Sequence, residues 1–304
     1  MTEWGWILLL GLGLFFGSFI NVLIVRYDPN DPKNGSLFSF QKLRGRSHCP
    51  ACGRTLGPLE LIPVFSFIVQ GARCRGCKAR ISFQYPLVEI LTGCIFAFVP
   101  FFLNGFWKIP NAVFLGGASP LWYYGLVVSW VLVFLIWLVM AAVDLKHYII
   151  PNELSWGLGI LGVLIAFLVG THTDFLFAFS HSFLGHYAML FPQVLNVMVN
   201  RLLAAGIAGL LFYALYAFSS GRAMGFGDVK LALAAGILFG WPDITVVIAL
   251  SFMVGGLVGL YCMVQKKKTM KDMLPFAPFF VAGSALTVFG GVPIVQFYFS
   301  VFGG

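Results

Sequence analysis

Long apolar runs recur along the whole of this 304-residue chain, and a soluble globule, in which apolar residues make up about half of the sequence, has no core large enough to bury them. A hydrocarbon core about 30 Å thick is crossed by a helix of about 20 apolar residues. The runs therefore predict an all-α polytopic membrane protein with about eight transmembrane helices, near 4–25, 87–103, 121–143, 154–170, 198–218, 227–241, 244–264 and 276–297. Composition agrees: 60% of the residues are hydrophobic, 10% are charged, and the mean hydropathy is +0.92. The N-terminal run from Trp4 to Val25 lacks the basic lead-in and small-residue cleavage site of a secretory signal and reads as a retained helix.

The Lys and Arg residues orient the chain. Of 19, ten lie between Arg26 and Arg80, and Lys146, Arg222, Lys230, Lys266, Lys267, Lys268 and Lys271 fall in the same set of alternate loops; only Lys108 and Arg201 fall in the other. Basic loops stay cytoplasmic, so both termini are expected on the periplasmic side. The lysines at 266–271 are expected to anchor the preceding helix by snorkelling. The net charge of +8 sits almost wholly in the first loop and suits anionic lipid headgroups. Aromatic residues do not interleave with the basic ones, which argues against nucleic acid as a partner.

Between the first two helices the composition changes. Residues 26–86 replace the aliphatic run with Pro, Gly, Asn, Lys, Arg and Cys, which predicts a small cytoplasmic domain dividing a first helix (1–25) from a membrane domain (87–304) of about seven helices. Within it stand Cys49-Pro50-Ala51-Cys52 and Cys74-Arg75-Gly76-Cys77, 21 residues apart. Two thiolates of one tight turn reach the same metal, so the two pairs predict a zinc-ribbon-like Zn2+ site with ligands Cys49, Cys52, Cys74 and Cys77. Four protein ligands close such a site, making the metal structural. A reducing compartment argues against disulfides. His48 is expected as a neighbour, and Cys94 and Cys262 as packing residues.

Two acids stand at the ends of apolar runs, where an ionisable group is costly and a functional reading is the default. Asp144 closes one run ahead of Tyr148-Ile149-Ile150-Pro151-Asn152; Asp228 opens another within Met224-Gly225-Phe226-Gly227-Asp228-Val229-Lys230. Gly225 and Gly227 permit positive φ or close backbone approach, and Lys230 completes the stretch. Gly17, Ser18 and Asn21 suit close helix packing or a place near the site. Glu89, about one turn past Pro86, suits the helix dipole or a site role. The external stretch 171–200, with His172, His181 and His186, carries no metal-binding spacing; residues 103–120 read as a short external loop.

Two carboxylates at one membrane depth can share a proton, one activating water while its partner supports an oxyanion. A proton or cation transporter would place its acids near the midplane of repeated halves, and no repeat is visible. A zinc-stapled scaffold without catalysis would not need the acids. The Gly225-x-Gly227-Asp228-x-Lys230 stretch, Asp144 with Ile150-Pro151-Asn152, the four cysteines, Gly17-Ser18-Phe19-x-Asn21-Val22 and Tyr85-Pro86-Leu87-Val88-Glu89 together resemble the bacterial type IV prepilin peptidases over nearly the whole chain.

The resemblance implies an aspartic endopeptidase of the inner membrane with Asp144 and Asp228 as its catalytic pair and Gly225, Gly227 and Lys230 as the supporting loop. It would cut type IV prepilins or type II secretion pseudopilins after a Gly at the cytoplasmic face. The resemblance further implies methylation of the new N-terminus by S-adenosylmethionine, an activity linked with the four-cysteine domain. No glycine-rich nucleotide fingerprint is present, leaving Gly71 and Glu89 as candidates for the methyl donor. Ala277 departs from the family's glycine between Pro-Phe and Pro-Phe, and 171–200 is longer than expected.

Overall fold

The computed structural model describes residues 3–29, 37, 45–114, 120–170, 182–192, 194, 196–222, 224–266 and 272–302. Lys267, Lys268, Lys271, His172 and His181 lie outside the described residues. Nine helices carry the described chain: α1 (Glu3–Arg26), α2 (Phe65–Val69), α3 (Gln84–Phe114), α4 (Pro120–His147), α5 (Asn152–Gly170), α6 (Val197–Ser219), α7 (Phe226–Phe239), α8 (Asp243–Val264) and α9 (Ala277–Phe302). Short 3-10 turns occupy Pro58–Leu61 and Gly185–Leu190. Among the described residues there is no strand, only two isolated bridges.

Among the described residues, seven helices are long and apolar enough to cross a membrane, which makes the protein multi-pass. The stretch expected as a further span, 227–241, is α7, and its 14 residues reach only about 21 Å. It lacks the length for a bilayer because Gly240 turns the chain with φ +75. A second difference is at 103–120, expected as a loop. There α3 continues to Phe114, because the apolar surface does not stop at Leu103, which is fully buried.

The chain forms two compact units, Met1–Asn104 with Trp130–Val139, and Gly105–Ser129 with Met140–Gly304. In the first, α1 and α3 approach closely because glycine leaves room: a Cβ at Gly13 would lie 2.8 Å from the Gly93 Cα, and one at Gly17 would lie 2.5 Å from the Glu89 Cα. Polar groups lock the approach. The Ser18 hydroxyl donates to Glu89 Oε1 at 2.6 Å, and the Asn21 amide to the Tyr85 carbonyl at 3.0 Å. Glu89 does not serve the first turn, since α3 begins at Gln84, ahead of Pro86. It is buried and takes a third element with its other oxygen, accepting from the Val64 N–H at 2.7 Å.

In the second unit the short α7 packs against α6 and α5, while α8 and α9 pack together. Small residues again set the contacts: Gly236 of α7 lies on Ala205 of α6, and a Cβ at Gly162 of α5 would stand 3.0 Å from the Leu238 nitrogen. Replacing Gly17 by Ala is expected to lower stability by about 1–3 kcal/mol through overpacking against the Glu89 backbone. Gly11→Ala, where nothing lies within 4 Å, is expected to leave the thermal midpoint in detergent unchanged. Equal midpoints for the two variants would contradict this account of the α1–α3 contact.

Candidate functional site

Asp144 occupies the last turn of α4, which runs to His147, and is 4% exposed. A carboxylate so buried needs donors. Its Oδ2 accepts from the Ala277 N–H at 2.9 Å, the first residue of α9. The first N–H groups of a helix have no partner within it, and Pro275 and Pro278 delimit where this helix begins. Phe276, just ahead of Ala277, fixes that start: its ring lies 5.6 Å from Phe212, 5.5 Å from Phe252 and 6.0 Å from Phe280. The sequence marks Pro275-Phe276-Ala277-Pro278-Phe279 as a broken helix entrance with freed backbone groups, but a backbone donor leaves no mark on residue identity that would name Asp144 as its partner.

Asp228 stands in the first turn of α7, partly exposed, where its Oδ2 accepts from the Gly225 N–H at 3.0 Å. The acid thus caps its own helix, as a carboxylate at N3 can. Neither motif glycine has positive φ; Gly225 is extended at φ −80, ψ 159. Close approach is what Gly227 provides. A Cβ there would lie 3.3 Å from Ile150 Cβ.

The turn after Asp144 and the helix start that carries Asp228 are joined twice. Ile150 packs on Gly227, and the Lys230 ammonium donates to Asn152 Oδ1 at 2.8 Å while resting 5.2 Å from the Phe226 ring centroid. Ile150 and Asn152 come from the stretch that sequence reading paired with Asp144, but their contacts with Gly227 and Lys230 required the fold.

The four cysteines converge, with all Sγ atoms within 4.8 Å of one another and Cys49 to Cys77 at 3.9 Å. A tetrahedral ion with bonds of about 2.3 Å sets its sulfurs about 3.8 Å apart, so the group fits one ion. The two knuckles repeat one pattern. Cys49 N–H donates to the Arg54 carbonyl and Gly53 N–H to the Cys49 carbonyl, both at 2.9 Å; Cys74 N–H donates to Ala79 at 2.9 Å and Lys78 N–H to Cys74 at 3.0 Å. Gly53 and Lys78 take the matching left-handed turn positions, with φ +71 and +61. Backbone N–H groups of Cys77 and Gly76 draw the Cys74 thiol down to about 6, toward the thiolate that binds metal.

Arg54 clasps Glu60 at 2.6 Å, and the Gly57 N–H, with Arg54, holds the Glu60 carboxyl below the usual carboxylate range. His48 faces the Arg46 carbonyl at 3.4 Å and is outside the sulfur group. The two residues expected at a methyl donor differ. Gly71 turns after α2 with φ +57 and open space beside it, whereas each Glu89 oxygen accepts one protein donor, the Ser18 hydroxyl and the Val64 N–H.

At the far end of α7 is a cluster that sequence reading missed. Arg201, expected only as an external charge, is buried on α6 and donates to the carbonyls of Ile237 and Leu238. Asp243 is 2% exposed and accepts from the Ser182 hydroxyl at 2.5 Å and the Phe183 N–H at 2.9 Å.

Two family models match the chain, the bacterial peptidase A24 N-terminal domain over residues 11–103 and the type IV leader peptidase family over residues 130–260. A protein of Bacillus subtilis (strain 168) named prepilin leader peptidase/N-methyltransferase is 32% identical over 254 residues, covering 83% of this chain and 85% of its own. Proteins of the same name in Aeromonas salmonicida (strain A449) and Pseudomonas aeruginosa are 27% and 25% identical, each covering 94% of this chain and 91% of the relative. No solved structure matches. The shared order of the two matched regions and the length of the likeness place the chain in the type IV leader peptidase family.

Proposed function

We propose that this protein cleaves type IV prepilins or type II secretion pseudopilins after a Gly, with Asp144 and Asp228 as the catalytic pair, and then methylates the new N-terminal residue using S-adenosylmethionine. The observation that carries the peptidase reading is the double tie between the Asp144 exit turn and the Asp228 helix start, Ile150 on Gly227 and Lys230 on Asn152. Such bracing of two acids from separate helices suits positioned catalysis, in which a small misplacement is costly. A scaffold has no use for it.

In the reaction, a carboxylate pair sharing one proton takes a second proton from water. The water oxygen attacks the scissile carbonyl carbon, and the protonated carboxyl donates to the oxyanion that forms. As the C–N bond breaks, the leaving amine nitrogen takes a proton from the pair, which returns to its starting state. Ala277 N–H orients Asp144 throughout, and Gly225 N–H orients Asp228. Exposed Gly225, bare of a side chain, leaves the approach to Asp228 open for an extended peptide.

Cys49, Cys52, Cys74 and Cys77 would hold Zn2+ in a closed site, where the bound metal supplies folding free energy and no open position for substrate. Residues 26–86 and 87–304 then form the cytoplasmic, methylation-linked domain and the peptidase domain. The Lys and Arg asymmetry supports an inner-membrane placement with periplasmic termini, the active site at the cytoplasmic face, and anionic headgroups against the first loop.

Asp144→Asn and Asp228→Asn are each expected to lower cleavage by about 10³-fold or more at an unchanged folded level. The check is mass spectrometry of a prepilin-like substrate incubated with the protein in detergent, with and without S-adenosylmethionine; a fully active Asn variant would sink the paired-acid mechanism. The wild type is expected to give a shortened product that gains one methyl group only with the donor. Cys49→Ser is expected to lose bound metal and methylation before it loses cleavage. Full zinc occupancy in that variant, measured by elemental analysis, would refute the four-thiolate site.

A further inference from the structure

We infer that Asn200 and Arg201 are positioning residues that set the depth of α7 and so the place of Asp228, although they sit at the opposite end of that helix. The inference rests on the peptidase reading above. A helix of 14 residues, about 21 Å long, cannot fix its own depth by matching the bilayer. Its height must come from neighbours.

Those neighbours grip the end of α7 remote from Asp228. The last carbonyls of a helix have no partner within it, and the Arg201 guanidinium takes two of them, donating to Ile237 at 2.9 Å and also to Leu238. A cation there complements the negative end of the helix dipole. Asn200 holds Trp241, two residues past the end of α7, by both of its backbone groups: the Trp241 N–H donates to Asn200 Oδ1 at 2.7 Å, and Asn200 Nδ2 donates to the Trp241 carbonyl at 2.9 Å. Gly240 makes this grip possible, since a Cβ there would stand 2.7 Å from Asn200 Oδ1.

The four bonds come from adjacent residues of α6, so they move together. Between them and Asp228 the shaft of α7 is keyed by close contacts, Gly236 on Ala205 and Leu233 on Gly209. A helix backbone is stiff along its axis, and a displacement at Trp241 is carried to Asp228. Arg201 makes no ion pair within 4.0 Å among the described residues; its partners are the helix carbonyls. Charge neutralisation by itself would not require the guanidinium to be aimed at backbone.

Asn200→Leu keeps the volume and deletes both bonds to Trp241; Asn200→Asp keeps the acceptor for the Trp241 N–H. With a prepilin-like substrate, Asn200→Leu is expected to lower kcat by about 100-fold with KM within about 2-fold of wild type, and Asn200→Asp is expected to lose less. The paired readout is the distance between nitroxide labels at Leu145 and Phe226, placed in a background without Cys94 and Cys262 and measured by pulsed electron resonance. A narrow wild-type distribution that shifts or broadens in Asn200→Leu supports the clamp. An unchanged distribution overturns it, as does a kcat loss that only tracks the folded fraction. A wild type that leaves substrate intact while the label distance still responds to Asn200→Leu refutes the peptidase reading and keeps the clamp on α7. If Asn200→Leu does not fold, Asn200→Asp and Arg201→Lys carry the same two measurements with the same outcomes.

Discussion

An Asp144 carboxylate that is 4% exposed inside an apolar bundle depends on one backbone hydrogen bond, from Ala277 at the start of α9. Burying a carboxylate without a partner costs several kcal/mol. The bond therefore couples α4 to the place where α9 begins, and that place is fixed by prolines and by Phe276 packed among Phe212, Phe252 and Phe280.

The second acid is supported by a different logic. Asp228 caps the helix it belongs to, so its local geometry is short-range, but its position relative to Asp144 depends on contacts at both ends of α7. A helix of ordinary transmembrane length could leave part of that task to the bilayer. This one is too short, and side chains from α6 and the α4–α5 turn do the holding. The first unit uses the same economy of polar groups: one buried Glu89 ties α1, α3 and the residue before α2, with the cysteine knuckles lying in the chain between α1 and α3.

Much of this was legible in advance, for reasons that differ from residue to residue. The four cysteines could be assigned together because two Cys-x-x-Cys turns carry their geometry in local spacing, and the sulfurs do converge. Asp144 and Asp228 stood out because a carboxylate at the edge of hydrocarbon is rarely tolerated without purpose. Glu89 lies in the expected helix, and the sequence leaves a first-turn role and a site role both open, since it does not reveal which distant hydroxyl or N–H the carboxylate meets. Arg201 was read as an external charge, because nothing in its neighbours announces burial; its partners are carbonyls of a helix 36 and 37 residues away.

The sequence by itself determined the membrane class, the approximate limits of most of the long helices, the four-cysteine cluster and the two acids that deserve a catalytic test. These follow from hydrophobic run length, local spacing and the cost of charge in hydrocarbon, all of which are written residue by residue. Only the tertiary structure decided that a backbone N–H of α9 holds Asp144, and that Asn200 and Arg201 grip the far end of the Asp228 helix. Each of those depends on a main-chain group finding a distant partner, and main-chain donors and acceptors are the same in every residue but proline.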